Sequence, residues 1–210
     1  MAGLKAVSPA NAAGHVALLL AAGGSTRLGR PKQLLTRNGV PLVRCMAEAA
    51  LATMPENLFV VVGAEATRMH EALATLPVTF IVNERWQQGL ASSLQAAAPL
   101  LSQQALPVLV LGCDQPALTV AHLQKLLAQP RPTDGVRVTD YGAAVGLPAL
   151  VPAALFQQAG QLRADQGLKA LWQQRAPHKV LAPELAFDLD TEADVVNARA
   201  RGWLDAADWR

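Results

Sequence analysis

The chain has 210 residues, enough for one α/β domain with a full core, and its 51% hydrophobic and 16% charged content excludes a disordered chain. A formal net charge of +2 gives no electrostatic case for nucleic acid, which calls for a clustered basic stripe. No run of about 18 apolar residues marks a membrane span, and the two cysteines, Cys45 and Cys113, form neither a CxxC pair nor a disulfide framework, which fits a reducing cytoplasm.

In chain order, Met1 to Gly14 reads as a loose tail with one lysine and no apolar core, a poor signal peptide. His15 to Ala21 (HVALLLA) is an apolar run of the kind buried on both faces of a parallel sheet. A glycine-rich loop comes next, and Pro41 to Met54 then reads as a helix with Pro41 in its first turn. Leu58 to Val62 is a second strand, Ala66 to Leu76 a helix, and Val78 to Val82 a third strand ending at Asn83. Leu90 to Leu101 is a helix with Ser92 and Ser93 in its first turn. Val108 to Leu111 is a fourth strand, and Thr119 to Ala128 is a helix with Thr119 as N-cap.

Beyond Pro130 the texture changes. Arg131 to Gly135 is a turn, Val136 to Val145 a hairpin around Asp140-Tyr141-Gly142, and Leu155 to Leu162 and Gly167 to Arg175 are helical. Lys179 to Leu181 and Phe187 to Asp190 are short strands before a last helix that ends near Ala200. Alternating strands and helices predict a three-layer α/β/α architecture with an open, mostly parallel sheet. Residues 15–210 read as one domain in two parts, 15–128 and 129–210, the second capping the ligand edge. Ligands of such sheets bind beyond the carboxyl ends of the strands. The glycine loop, Asn83 and Asp114 each come directly after a strand and so meet on that edge.

The run Leu18 to Leu35, LLLAAGGSTRLGRPKQLL, carries most of the chemistry. Gly23, Gly24 and Gly29 let the backbone approach a ligand closely, and successive N–H groups in such a loop form an anion site. Arg27 and Lys32 add positive charge, as a nucleotide polyphosphate requires. The loop is neither common phosphate loop: Arg30 stands where a Walker loop has Lys-Ser/Thr, and Gly23-Gly24-Ser25 does not give GxGxxG.

Asp114, in Gly112-Cys113-Asp114-Gln115-Pro116, is placed to hold Mg²⁺, which takes one or two carboxylates together with phosphate oxygens; an Asp before Pro also serves as a plain turn residue. Asp188 and Asp190 lie two residues apart, on one face of an extended segment. They are a second candidate metal pair, although Asp190 or Thr191 could instead cap the last helix. Asn83, Gly89, Ser92 and Ser93 could recognise a base or ribose, or the serines could cap their own helix. His15, His70, His122 and His178 have no metal spacing and read as structural or surface residues. Trp203 and Trp209 read as C-terminal packing.

These motifs resemble the nucleotidyltransferases with the glycosyltransferase-A-like fold, and within them the molybdenum cofactor cytidylyltransferase group. The resemblance runs from about Val16 to Ala200 and rests on the AAGxSxRxGxPKxL-type loop, Asn83 and Trp86 with Gly89-Leu90-Ala91-Ser92-Ser93, Cys113-Asp114-Gln115-Pro116, Gly146-Leu147-Pro148, Asp165-Gln166-Gly167 and Asp188-Leu189-Asp190-Thr191. It implies that Ala21, Ala22, Gly23, Gly24 and Ser25 wrap a nucleotide with Arg27 and Lys32 on its phosphates. It implies Mg²⁺ or Mn²⁺ on Asp114 and the Asp188/Asp190 pair, with Gly146, Pro148, Asp165 and Lys169 facing the acceptor. The expected substrates are CTP or another NTP and molybdopterin or another phosphorylated acceptor, the product passing to a molybdoenzyme client. An acceptor phosphate is already anionic, so its attack on the α-phosphorus needs no general base. Two positions depart from the cytidylyltransferase pattern: Leu147 stands where that group usually has His, and Lys169 where it usually has Arg.

Overall fold

The computed structural model describes residues 14–128, 135–164, 166–172 and 175–206. The expected tail before Gly14, most of the Arg131–Gly135 turn, Asp165 and Trp209 lie outside the described residues. One seven-stranded sheet runs through both halves of the chain. Its strands are β1 (Val16–Leu20), β4 (Leu58–Val62), β5 (Thr79–Val82), β6 (Val108–Gly112), β7 (Arg137–Asp140), β8 (Val145–Val151) and β9 (His178–Leu181). A short separate hairpin pairs β2 (Thr36–Arg37) with β3 (Val40–Pro41). The sheet order is β5-β4-β1-β6-β8-β7-β9, and β8 alone runs against its neighbours.

Alternation along the strands builds the two cores. Val16 and Leu18 of β1 and Val108 and Val110 of β6 face α3 (Leu90–Leu101) and the 3₁₀ segment Ala153–Gln161. Ala17, Leu19, Leu109 and Leu111 face the other way, onto α1 (Leu42–Leu51), α2 (Ala66–Leu73) and α4 (Val120–Ala128). Buried on both faces, β1, β4 and β6 have no room for polar side chains, and this is why they read as unbroken apolar runs. The result is the α/β/α sandwich that the alternation predicts. A satellite core of Leu35, Leu42, Leu189, Val195, Ala198 and Leu204 anchors α5 (Glu192–Ala200) to the first half of the chain.

Several local expectations are corrected. Phe187–Asp190 is not a strand; it is extended chain crossing the end of β6, held by the Leu189 N–H donating to the Asp114 carbonyl at 2.9 Å. The predicted hairpin is real, but its second arm is longer: β8 continues to Val151 because Ala149 to Val151 pair with β6. The two expected helices after residue 152 are 3₁₀ turns, Ala153–Gln161 and Leu168–Leu171. Thr119 caps α4, accepting the His122 N–H at 3.3 Å.

Both cysteines are buried free thiols. His15 and His122 are buried, Nε2 lying 2.9 Å from Thr53 Oγ1 and 2.8 Å from Thr139 Oγ1. Each threonine spends its own hydrogen on a carbonyl, Ala50 or Pro148, so each histidine donates from Nε2. His70 stacks on Phe80, and Trp203 packs edge-on against Phe187. No described helix is long and apolar enough to cross a membrane.

Candidate active site

A cavity of about 520 Å³ opens where the carboxyl ends of β1 and β6 face the chain arriving from Leu189 and Asp190. Its upper wall is the loop from Ala22 to Leu28. Gly24 must be glycine because a Cβ there would lie 2.6 Å from Cζ3 of Trp86, whose ring forms the adjoining wall. Ser25 holds a left-handed φ of 50°, unusual for a residue with a Cβ, and is fixed there as a hub. Its carbonyl accepts the Leu28 and Gly29 N–H groups, at 3.1 and 2.9 Å, while its Oγ accepts the Lys32 N–H at 3.1 Å.

The floor is a charge cluster assembled from three distant stretches. The Lys32 ammonium donates to Asp114 Oδ2 at 3.0 Å and to Asp190 Oδ1 at 3.1 Å. Arg27 donates to the other oxygen of Asp190 at 2.8 Å from a largely exposed position. Burial works against the Lys32 charge, but Asp114 and then Asp190 more than offset it, so its pKa stands above the ordinary lysine value. Crowding by the surrounding chain, and then the Asp114 charge, push the Asp188 carboxyl up to about 7, although one side of it meets solvent. Gly112 gives Asp114 its room: a Cβ there would sit 2.7 Å from Asp114 Oδ1. Beyond the cluster, Arg30 grips Glu192 at 2.8 and 2.9 Å and joins the loop to the first turn of α5.

Of the residues singled out in the sequence, Ala22, Gly23, Gly24, Ser25, Arg27, Lys32, Gly89, Ser93, Asp114 and Asp190 line the cavity. Lys32 and Asp114, 82 positions apart, meet directly. Others lie elsewhere. Ala21 turns its carbonyl to Gln33. Asn83 and Ser92 are scaffold: the Asn83 amide donates to Ser92 Oγ at 2.8 Å and Ser93 Oγ at 3.0 Å, and Ser92 Oγ donates to the Gly89 carbonyl at 2.8 Å. A buried amide must satisfy its donors, and these bonds shape the bend that leads into α3. Asp190 does not cap α5; Thr191 does, in a capping box with Asp194.

Of the residues expected to face an acceptor, Gly146 and Pro148 do not line the cavity, although Leu147 between them in β8 does. Gly146 instead leaves room for Tyr141, whose hydroxyl a Cβ would approach to 2.6 Å. Lys169 lines a separate hollow of about 320 Å³ with Arg175 and Lys179. Two residues escaped the sequence reading. Gln33 braces the glycine loop from behind, and Gln115 ties Tyr141, Leu147 and Leu185 together through Nε2 at 2.8 to 3.1 Å. Each is a polar residue in an otherwise apolar or turn-forming run.

Among the described residues no group of three or more His, Cys, Asp or Glu is arranged as a metal cage. The donor set still fits a hard divalent cation. Asp114 and Asp190 offer carboxylate oxygens around one point, now held by a lysine ammonium. Mg²⁺ needs only one or two carboxylates when phosphates and water complete its shell.

Comparisons with known proteins identify a family and a shared fold. The MobA-like NTP transferase domain family matches residues 17–180. The chain is 38% identical over 118 residues to nicotine blue oxidoreductase of Paenarthrobacter nicotinovorans, covering 55% of this chain and 56% of that one. It is 38% identical over 124 residues to the bifunctional protein GlmU of Thermus thermophilus, covering 58% of this chain and 27% of that one. The matches thus span about half or less of these relatives' length. Among solved structures, a nucleotidyl transferase from Methanothermobacter thermautotrophicus superposes with a TM-score of 0.75 at 22% identity, covering 90% of this chain and 98% of that one. A manganese complex of Rv0371C from Mycobacterium tuberculosis superposes with a TM-score of 0.70 at 23% identity, covering 92% and 100%. The chain belongs to the MobA-like NTP transferase domain family, within the nucleotidyltransferase superfamily.

Proposed function

We propose that the protein moves a nucleoside monophosphate, CMP from CTP, onto the terminal phosphate of molybdopterin or its molybdenum-loaded form. One observation carries the transfer chemistry: Lys32 sits between Asp114 and Asp190 on the floor of a cavity roofed by the glycine loop. Attack by an acceptor phosphate oxygen on the α-phosphorus forms one P–O bond and breaks the bond to the β-phosphate, and pyrophosphate leaves. The chain's own task is to hold the reactants in line and to neutralise charge. Lys32 faces the α-phosphate and the leaving group, and Arg27 covers the outer phosphates. A Mg²⁺ or Mn²⁺ held by Asp114 with Asp190 would supply the remaining neutralisation, with phosphate oxygens and water completing its shell; the manganese complex of a structural neighbour supports a divalent ion.

CTP and the pterin rest on the motif resemblance. A second reading keeps the transfer and changes the acceptor to a sugar phosphate or phosphoalcohol; what speaks for it is that Leu147 on the cavity wall stands where the cytidylyltransferase group usually has His and offers a pterin no hydrogen bond. The test is pyrophosphate release with each of the four NTPs and Mg²⁺, with and without molybdopterin and a set of phosphorylated alcohols. Release with the pterin and CTP supports the first reading, and release with another acceptor the second. No release with any acceptor leaves a non-catalytic cofactor carrier. Because one relative is named nicotine blue oxidoreductase, reduction of nicotine blue by an added electron donor is the control reaction; turnover there, and with no NTP, would replace the proposal.

A further inference from the structure

Gln33 stands directly after Lys32 and borders the same cavity, yet it is 2% exposed. It uses its whole amide on the glycine loop. Nε2 donates to the Ala21 carbonyl at 3.2 Å and the Gly23 carbonyl at 2.6 Å, and Oε1 accepts the Ser25 hydroxyl at 3.3 Å. Ser25 Oγ in turn accepts the Lys32 N–H at 3.1 Å and closes a ring that starts and ends beside the catalytic lysine. In a trans peptide the C=O and the N–H of the next residue point in opposite directions. Holding the Ala21 and Gly23 carbonyls toward the buried Gln33 amide therefore aims the Ala22 and Gly24 N–H groups to the opposite side of the loop. Among the described residues no hydrogen bond takes the N–H of Ala22, Gly23 or Gly24, and all three residues line the cavity.

We propose that Gln33 is a positioning residue that sets the polarity of the glycine loop: by holding two carbonyls behind the loop it keeps the loop's amides turned toward the nucleotide. This rests on the reading of the cavity as an NTP site. A loop freed from Gln33 can rotate its peptide units, and a carbonyl turned inward would repel the phosphates that the amides attract. The effect falls on binding of the anion, with the in-line step itself, driven by Lys32 and Asp114, changed less.

The test is calorimetric titration of wild type, Gln33→Leu, Ser25→Ala and the double variant with each of the four NTPs in Mg²⁺, alongside KM and kcat from pyrophosphate release and the melting temperature of each protein. Gln33→Leu should weaken NTP binding about tenfold or more, the loss of two to three buried hydrogen bonds. It should raise KM for NTP more than it lowers kcat. Ser25→Ala should weaken binding by a smaller factor and add little in the Gln33→Leu background, because both act through one ring. If Gln33→Leu does not fold, Ser25→Ala alone carries the test. Wild-type NTP affinity in folded Gln33→Leu, or in folded Ser25→Ala when that is the only variant, overturns the role of Gln33 and leaves the nucleotide reading standing. No NTP binding by wild type overturns both.

Discussion

The two halves of the cavity differ in how firmly their side chains are committed. On one side the charged residues that line the cavity pair with one another: Lys32 with Asp114 and Asp190, and Arg27 with Asp190. On the acceptor side the wall is Leu147, and the basic residue marked for that role, Lys169, sits in another hollow. The contrast teaches that charged side chains converge at the carboxyl ends of the parallel strands, while β8 brings only an apolar side chain to the cavity.

Breaking the nucleotide side should have the largest effect. Asp114→Ala should cut pyrophosphate release about a thousandfold or more with the fold intact by circular dichroism, because it removes the proposed metal ligand and the Lys32 partner. Chelating divalent ions should have the same effect in wild type, reversed by added Mg²⁺ or Mn²⁺. Lys32→Ala should weaken both NTP affinity and kcat, about a hundredfold in kcat/KM. Arg27→Ala should cost less, about tenfold or below in KM for NTP, since its side chain is 71% exposed and its ion pair is solvent-screened.

The contrast is sharpened from the other side by Leu147→His. It should leave KM for NTP within about threefold and move KM for a pterin acceptor by about tenfold, as a hydrogen-bonding group replaces an apolar one. A change confined to NTP would erase the division between the halves.

The smallest effect lies outside the cavity. Burial holds the pKa of His15 and of His122 below the usual 6.5, and both donate from Nε2 as neutral rings. A depressed folded-state pKa gives stability that is complete above the unfolded pKa and is lost as the pH falls toward the folded one. As the pH is lowered from 7.5 to 5, His122→Gln should therefore lose less melting temperature than wild type does, a comparison in which the opposing contribution of Asp188, whose raised pKa adds stability at lower pH, is common to both proteins.

Legibility in the sequence tracks the physics of each segment. β1, β4 and β6 were plain because burial on both faces admits only apolar residues. The glycine loop and Asp114 were plain because each comes directly after such a strand. Phe187–Asp190 misled because alternating polar and apolar residues mark any extended chain, whereas strand membership requires a hydrogen-bonded neighbour; here that is a single bond to Asp114. Asn83 and Ser92 misled because a polar residue after a strand can face the ligand or satisfy the backbone, and buried donors here chose the second. Gln33 was invisible because its task, turning carbonyls backward, depends on a loop geometry that spacing does not encode. Lys169 was expected beside the acceptor from the motif resemblance alone, and it lines a different hollow.

The most direct test is a crystal structure with a non-hydrolysable CTP analogue and Mg²⁺. The account predicts the triphosphate against the Ala22 to Ser25 backbone, Lys32 on the phosphates and the metal touching Asp114. Phosphates bound instead in the hollow of Lys169, Arg175 and Lys179, with the Lys32–Asp114–Asp190 cluster unchanged, would contradict it.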